Sequence, residues 1–208
     1  MTALFGGGGG NEAQKAREEE AKRQARIREG TVRINSTFDK NFDKSYFDKQ
    51  RDNYLSYASP QVEDQYGKAQ KELTFALARS GNLDSSSRAE KVGELQKLHT
   101  LNQQTVGDQA LAYRGKARSN VEDARSGLIA TLTATGDAQG AANSAISRAS
   151  ALSEPTAYSP LSQLFTDFTA GLGTQAALER ANYYSGGQVP VRYNTGLFAP
   201  SASAVQVK

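Results

Sequence analysis

The stretch that decides the fold runs Val92-Gly-Glu-Leu-Gln-Lys-Leu-His-Thr-Leu-Asn-Gln-Gln-Thr-Val106 and continues through Tyr113, Val121 and Leu128 to Leu132. A stripe can be traced along it at positions 92, 95, 99, 102, 106, 110, 113, 117, 121, 124, 128 and 132, which is eleven steps over 40 residues, or 3.64 residues per step. That value lies between the ideal α-helical turn and the 3.67 of an 11-residue repeat, and away from the 3.5 of a left-handed coiled coil. It predicts one nearly straight or slightly right-handed helix of about 50 residues, roughly 75 Å long at 1.5 Å per residue. His99 and Asn102 interrupt the stripe's apolar character, and Gly93, Gly107, Gly115 and Gly127 each lower helix stability by up to about 1 kcal/mol. A helix so long with so modest a stripe needs neighbours, most simply copies of itself. Val106, Tyr113, Val121, Leu128 and Leu132 are therefore candidate oligomer-packing residues.

Upstream, Phe38, Phe42 and Tyr46 step by four, and the triplet Phe-Asp-Lys recurs at 38–40, 42–44 and 47–49. The spacing predicts a single helix over 37–58 with an aromatic stripe, and Phe38, Phe42 and Tyr46 join the candidate packing set. Ser59-Pro60 reads as a helix start, Ser at the N-cap and Pro in the first turn. The apolar face of that helix is Val62, Tyr66, Ala69, Leu73, Ala76 and Leu77. It closes at Ser80-Gly81-Asn82, with Asp84 or Ser85 capping the next helix in a tight antiparallel turn.

Downstream, Gly136-Asp137 repeats this turn chemistry, and 138–153 forms an Ala/Ser-rich helix that ends before Pro155. Ser159-Pro160 again reads as a start, opening an apolar helix to about Tyr184 through Leu161, Leu164, Phe165, Phe168 and Leu172. From 154 to 208 there are only six charged residues in 55, or 11% against 23% overall. The five apolar residues just named are therefore candidates for facing an envelope or a partner. From Ser185, with Gly186-Gly187, Pro190, Gly196 and Pro200, an extended irregular tail is expected.

At the other end, Gly6–Gly10 reads as a flexible tether, since Asn11-Glu12 follows where a phosphate-cradling loop would need Gly-Lys-Ser/Thr. Residues 11–29 form a highly charged helix with only Ala13, Ala16, Ala21 and Ala25 as small apolar positions before Ile27, and Gly30-Thr31 interrupts it. Lys22, Arg23, Arg26 and Arg28 are weak DNA-contact candidates, because Glu18, Glu19 and Glu20 precede them and phosphate-binding patches lack interleaved acids.

The averages agree with a thin core. The 208-residue chain is 38% hydrophobic, with 25 Lys+Arg, 22 Asp+Glu and a net charge of +3. Without cysteine there is no thiol nucleophile, disulfide framework or Cys-based zinc site, and a single histidine leaves no pair for a metal or for acid–base relay. No carboxylate pair stands in an apolar setting and no nucleophile elbow surrounds Ser85-Ser86-Ser87, so no enzyme, cofactor or metal is expected. No stretch approaches the ~20 apolar residues of a spanning helix, nor the basic start of a signal peptide.

The strings Phe38-Asp-Lys-Asn-Phe-Asp-Lys-Ser-Tyr-Phe47, Ala78-Arg-Ser-Gly-Asn-Leu-Asp-Ser-Ser86 and Ser159-Pro-Leu161 through Gly171-Leu-Gly-Thr-Gln-Ala-Ala177 resemble the small internal virion, or DNA-ejection, proteins of short-tailed phages. The resemblance spans about 30–185 and carries no catalytic motif. It implies packaging in the capsid near the portal or tail and exit ahead of the genome. It further implies assembly with larger internal virion proteins into a conduit across the host envelope, acting at the outer membrane. Near-balanced charge would suit a wall past which DNA slides with only transient contact. The expected architecture is all-α, with long helices in antiparallel hairpins. The parts are a Gly-rich start (1–10), a charged helix (11–30), a helical-hairpin region (31–153), an apolar low-charge helix (154–184) and an extended tail (185–208). The function expected is a homo-oligomeric ring forming part of a genome-delivery channel. The alternatives are a helical virion adaptor or scaffold that never meets a membrane, and a helical DNA-binding protein.

Overall fold

A computed structural model describes residues 9–80 and 86–190 of the chain. The described residues are all-α, forming α1 (Gly9–Asn41), α2 (Lys44–Ser80), α3 (Ser86–Thr135), α4 (Ala138–Leu152) and α5 (Thr166–Tyr184) with no strand among them. The Gly81 turn, the Asp84/Ser85 cap and the tail beyond 190 lie outside the described residues, as does the glycine tract up to Gly8. Gly9 and Gly10 already belong to α1.

The long helix expected from the 3.64 period is α3, 50 residues. All twelve stripe positions are buried or half-buried. The chain's own helices supply at least part of the cover that copies of α3 were expected to give. The chain divides into two units, each assembled from separate stretches rather than from consecutive segments: Met1–Arg51 with Ala112–Ala157, and Asp52–Leu111 with Tyr158–Lys208.

In the first unit, α1 runs antiparallel to the C-terminal part of α3. Arg23 donates to the Thr133 carbonyl at 2.6 Å, Arg125 pairs with Asp39 at 2.7 Å, and Arg114 pairs with Asp48 at 3.0 Å. The α3–α4 turn works as its sequence suggests: Gly136 takes the left-handed φ of 69°, and the Asp137 carboxylate accepts from the Gly140 N–H at 2.9 Å. The core joins Ile34, Phe38 and Phe42 to Val121, Leu132, Ala141, Ala145 and Ala149.

Two boundaries here differ from expectation. Gly30-Thr31 does not interrupt α1. Gly30 is buried, and a Cβ there would lie 2.7 and 3.0 Å from the Leu132 methyls and 3.2 Å from Ala138 Cα. The glycine permits close helix approach instead of breaking the chain. Nor is 37–58 one helix: the chain breaks at Phe42-Asp43 because Asp43 caps α2, accepting from the Ser45 hydroxyl at 2.7 Å and the Tyr46 N–H at 2.9 Å. Those bonds, Ser45's first, hold its carboxyl below the usual range. The aromatic stripe survives the break, with Phe38–Phe42 and Phe42–Tyr46 ring centroids 5.5 and 4.9 Å apart.

In the second unit, α2 and α3 are antiparallel, and Tyr54 donates to the Gln109 side chain. Ala69, Leu73, Leu77 and Leu95 pack with Phe165, Phe168 and Leu172. Pro60 does not start a helix; it lies inside α2. It is exposed, while Tyr54, Ala58, Val62, Ala69, Leu73 and Leu77 bury one face on both sides of it. That common face outweighs the missing N–H of a proline turned to solvent. Ser159-Pro160 is not a start either. Residues 155–163 are non-helical, and α5 begins only at Thr166. The Leu161 and Leu164 N–H groups donate to Gln61 and Gln65 Oε1 at 3.0 and 2.8 Å, and Gln65 Nε2 donates to the Ser162 carbonyl at 3.3 Å. Glutamines of α2 thus satisfy backbone groups that a helix would otherwise have paired. Tyr158 rests against Tyr54 and Tyr57, with centroids 5.3 and 5.4 Å away.

Candidate functional site

Side chains capable of chemistry converge most clearly around His99. The stripe turns position 99 of α3 toward α2, and Gln103, one turn later, follows on the same side. His99 Nε2 lies 2.9 Å from Glu63 Oε1, and Gln103 Nε2 donates to the same oxygen at 2.9 Å. The imidazole stacks on Tyr66 with centroids 4.0 Å apart and planes 15° apart, and Phe165 stands behind Tyr66 at 6.0 Å. The bonds from His99, then Gln103, hold the Glu63 carboxyl below its usual range. The Glu63 side chain is 54% exposed, so this pair sits at the surface rather than in a water-excluded cleft. What the arrangement does is tie α2 to α3 across a stripe position that is otherwise polar. Among the described residues, no group of three or more His, Asp or Glu converges to hold a metal ion.

A groove of roughly 400 Å3 runs between α2 and α5, floored by Ala76, Leu172, Gly173 and Ala176 with Glu72 and Arg180 on its rim. Phe75 beside it is 61% exposed. Sequence reasoning missed this groove, because it depends on where α5 starts.

The structure redistributes the candidate residues. Phe38, Phe42, Val106, Val121 and Leu132 are buried within the chain, and Tyr46, Tyr113 and Leu128 are half-buried. Tyr46 also donates its hydroxyl to the Leu152 carbonyl at 2.6 Å, and burial pushes that phenol's pKa up. Five of the candidate packing residues are thus core of this chain, and the other three keep part of their surface exposed. The proposed envelope-facing set is corrected likewise: Phe165, Phe168 and Leu172 are buried and Leu161 and Leu164 half-buried, because α2 and α3 supply the apolar face they need. No described helix is long and apolar enough to cross a membrane.

Of the basic quartet, Lys22, Arg26 and Arg28 are exposed, but Arg23 is occupied at the carbonyl end of α3. At about 100° per residue, Lys22 and Arg26 share a face and Arg28 points away from it, so the four do not form one patch. A further feature is the α1 segment Asn11–Lys22: every residue in it is exposed, since α1 continues past the α3–α4 turn that Arg23 and Gly30 mark.

Compared with family models, with curated proteins and with solved structures, the chain matches none.

Proposed function

We propose that this chain is a structural internal virion protein of a short-tailed phage, acting by assembly as part of a channel for genome delivery across the host envelope. The sequence strings quoted above suggest the family. The observation that carries assembly is α1: a 33-residue helix whose segment Asn11–Lys22 is covered by nothing in the described chain. Most helical stability in proteins comes from packing of one face, and this segment has no such packing within the described chain, so a partner would supply it. The test is light scattering and electron microscopy of the purified chain, with dye release from lipid vesicles. Ring-shaped oligomers and dye release support the reading; a monomer that leaves vesicles intact overturns it.

One observation favours a second reading, a virion adaptor or scaffold without membrane contact. The apolar C-terminal residues Phe165, Phe168 and Leu172 are occupied in the chain's own core. Ring formation without dye release selects that reading.

A further inference from the structure

We infer that the outer face of α1 is a docking surface for a second copy of this chain, held antiparallel about a two-fold axis near residue 23. The inner side of α1, with Gly30, Ile34 and Phe38, is buried in its own unit. On the opposite side, Gln14, Glu18, Ala21, Ala25, Arg28 and Val32 are all exposed, and Val32 is 67% so. Their spacing of 4, 3, 4, 3 and 4 averages the 3.6 residues of a straight helical turn, so the six share one face, with Ala21, Ala25 and Val32 as its apolar positions. It is the face that the intrachain packing leaves free.

Charge selects the occupant and its direction. The charges on this face are Glu18 and Arg28, with Lys15, Lys22 and Glu29 on one flank. A parallel in-register copy would set Glu18 on Glu18 and Arg28 on Arg28. An antiparallel copy sets Glu18 against Arg28. With the axis near residue 23, Ala21 faces the second copy's Ala25, Glu18 its Arg28 and Gln14 its Val32. Each layer occurs twice by symmetry, as a self-complementary two-fold interface requires. Lys15 lies on the same flank as the second copy's Glu29. The alanines at the centre permit close approach of the two backbones, and the charged layers on either side set register. Lys22 meets its own copy beside the axis, a like-charge contact that its exposed ammonium relieves by turning to water.

Because the chain has no cysteine, the register can be read by cross-linking. Ala21→Cys and Ala25→Cys variants are mixed and oxidised, and each is oxidised alone as a control. The expected result is a disulfide-linked dimer in the mixture and little with either variant alone, since residue 21 faces 25 and not 21. In sedimentation, Glu18→Arg and Arg28→Glu each weaken dimerisation roughly tenfold, by turning two attractive pairs repulsive, and the double variant recovers it. Circular dichroism checks that these exposed substitutions leave helix content unchanged. Absence of a cross-link in the mixture, equal cross-linking of each variant alone, or no recovery in the double variant overturns the inference. The outcome is separate from the channel reading. Pairing without rings or dye release keeps this interface and removes the channel, whereas rings without the 21–25 cross-link do the reverse.

Discussion

Replacing Gly30 by alanine separates two accounts of the same residue. In open helix, Gly→Ala stabilises by about 0.8–1.0 kcal/mol. At position 30 the new methyl would sit 2.7 and 3.0 Å from the two Leu132 methyls and 3.2 Å from Ala138 Cα. Leu132 has no exposed surface and Ala138 presents backbone, so neither yields cheaply. Overpacking of this kind costs about 1–3 kcal/mol. The net expectation is a loss of up to about 2 kcal/mol, opposite in sign to the intrinsic preference. Gly127→Ala in α3 is the internal control. Nothing lies within 4 Å of a Cβ there, so a gain of about 1 kcal/mol is expected. The assay is urea unfolding followed by circular dichroism, comparing midpoints at constant slope. Leu132→Ala, which alone costs about 2–5 kcal/mol, should cost less in the Gly30→Ala background, with a coupling of about 0.5–3 kcal/mol. If Gly30→Ala stabilises the chain as Gly127→Ala does, or if its effect adds simply to that of Leu132→Ala, the close-approach argument is wrong.

Pro60→Ala restores a donor for the Ser56 carbonyl inside α2 and should stabilise by about 1–3 kcal/mol in the same assay, whereas a proline in the first turn of a helix would give no gain. Gln65→Ala removes the acceptor of the Leu164 N–H and the donor to Ser162, and should cost about 1–2 kcal/mol. Faster hydrogen exchange at the Leu164 amide should accompany that loss, with the Gly140 amide unchanged. The Glu63 carboxyl is held below its ordinary value of 4.5, so its contribution is present above that pH and is lost as pH falls through the lower folded value. Stability against pH should therefore fall less steeply on the acid side in Glu63→Gln, and an identical slope would show that the His99 and Gln103 bonds contribute nothing.

The three Phe-Asp-Lys triplets show how far local chemistry reaches. Asp39 pairs with Arg125, Asp43 caps α2 and Asp48 pairs with Arg114, although the three have the same immediate neighbours. Nothing within the triplet distinguishes a cap from an ion-pair partner; the distinction comes from a helix more than 60 residues away in sequence. The same holds for the site. The place of His99 on the α3 stripe is legible from spacing alone. Its pairing with Glu63 is not, because that pairing depends on the register of α2 against α3. The redistribution of Phe165, Phe168 and Leu172 from an outward belt to a core has the same origin. An apolar face can be read from spacing, but what covers it cannot.

What the sequence by itself determined was the all-α class, the length and face of α3, and the Gly136-Asp137 turn. Each rests on interactions a few residues apart: the helical repeat, a left-handed glycine and a carboxylate capping a nearby N–H. Only the tertiary structure decided that Gly30 is a contact point, that Pro60 lies inside a helix, and that 155–163 leaves the helical path. At those positions the local preference, of order 1–3 kcal/mol, competes with burial shared along a whole helix face. The shared term wins because many side chains contribute to it at once.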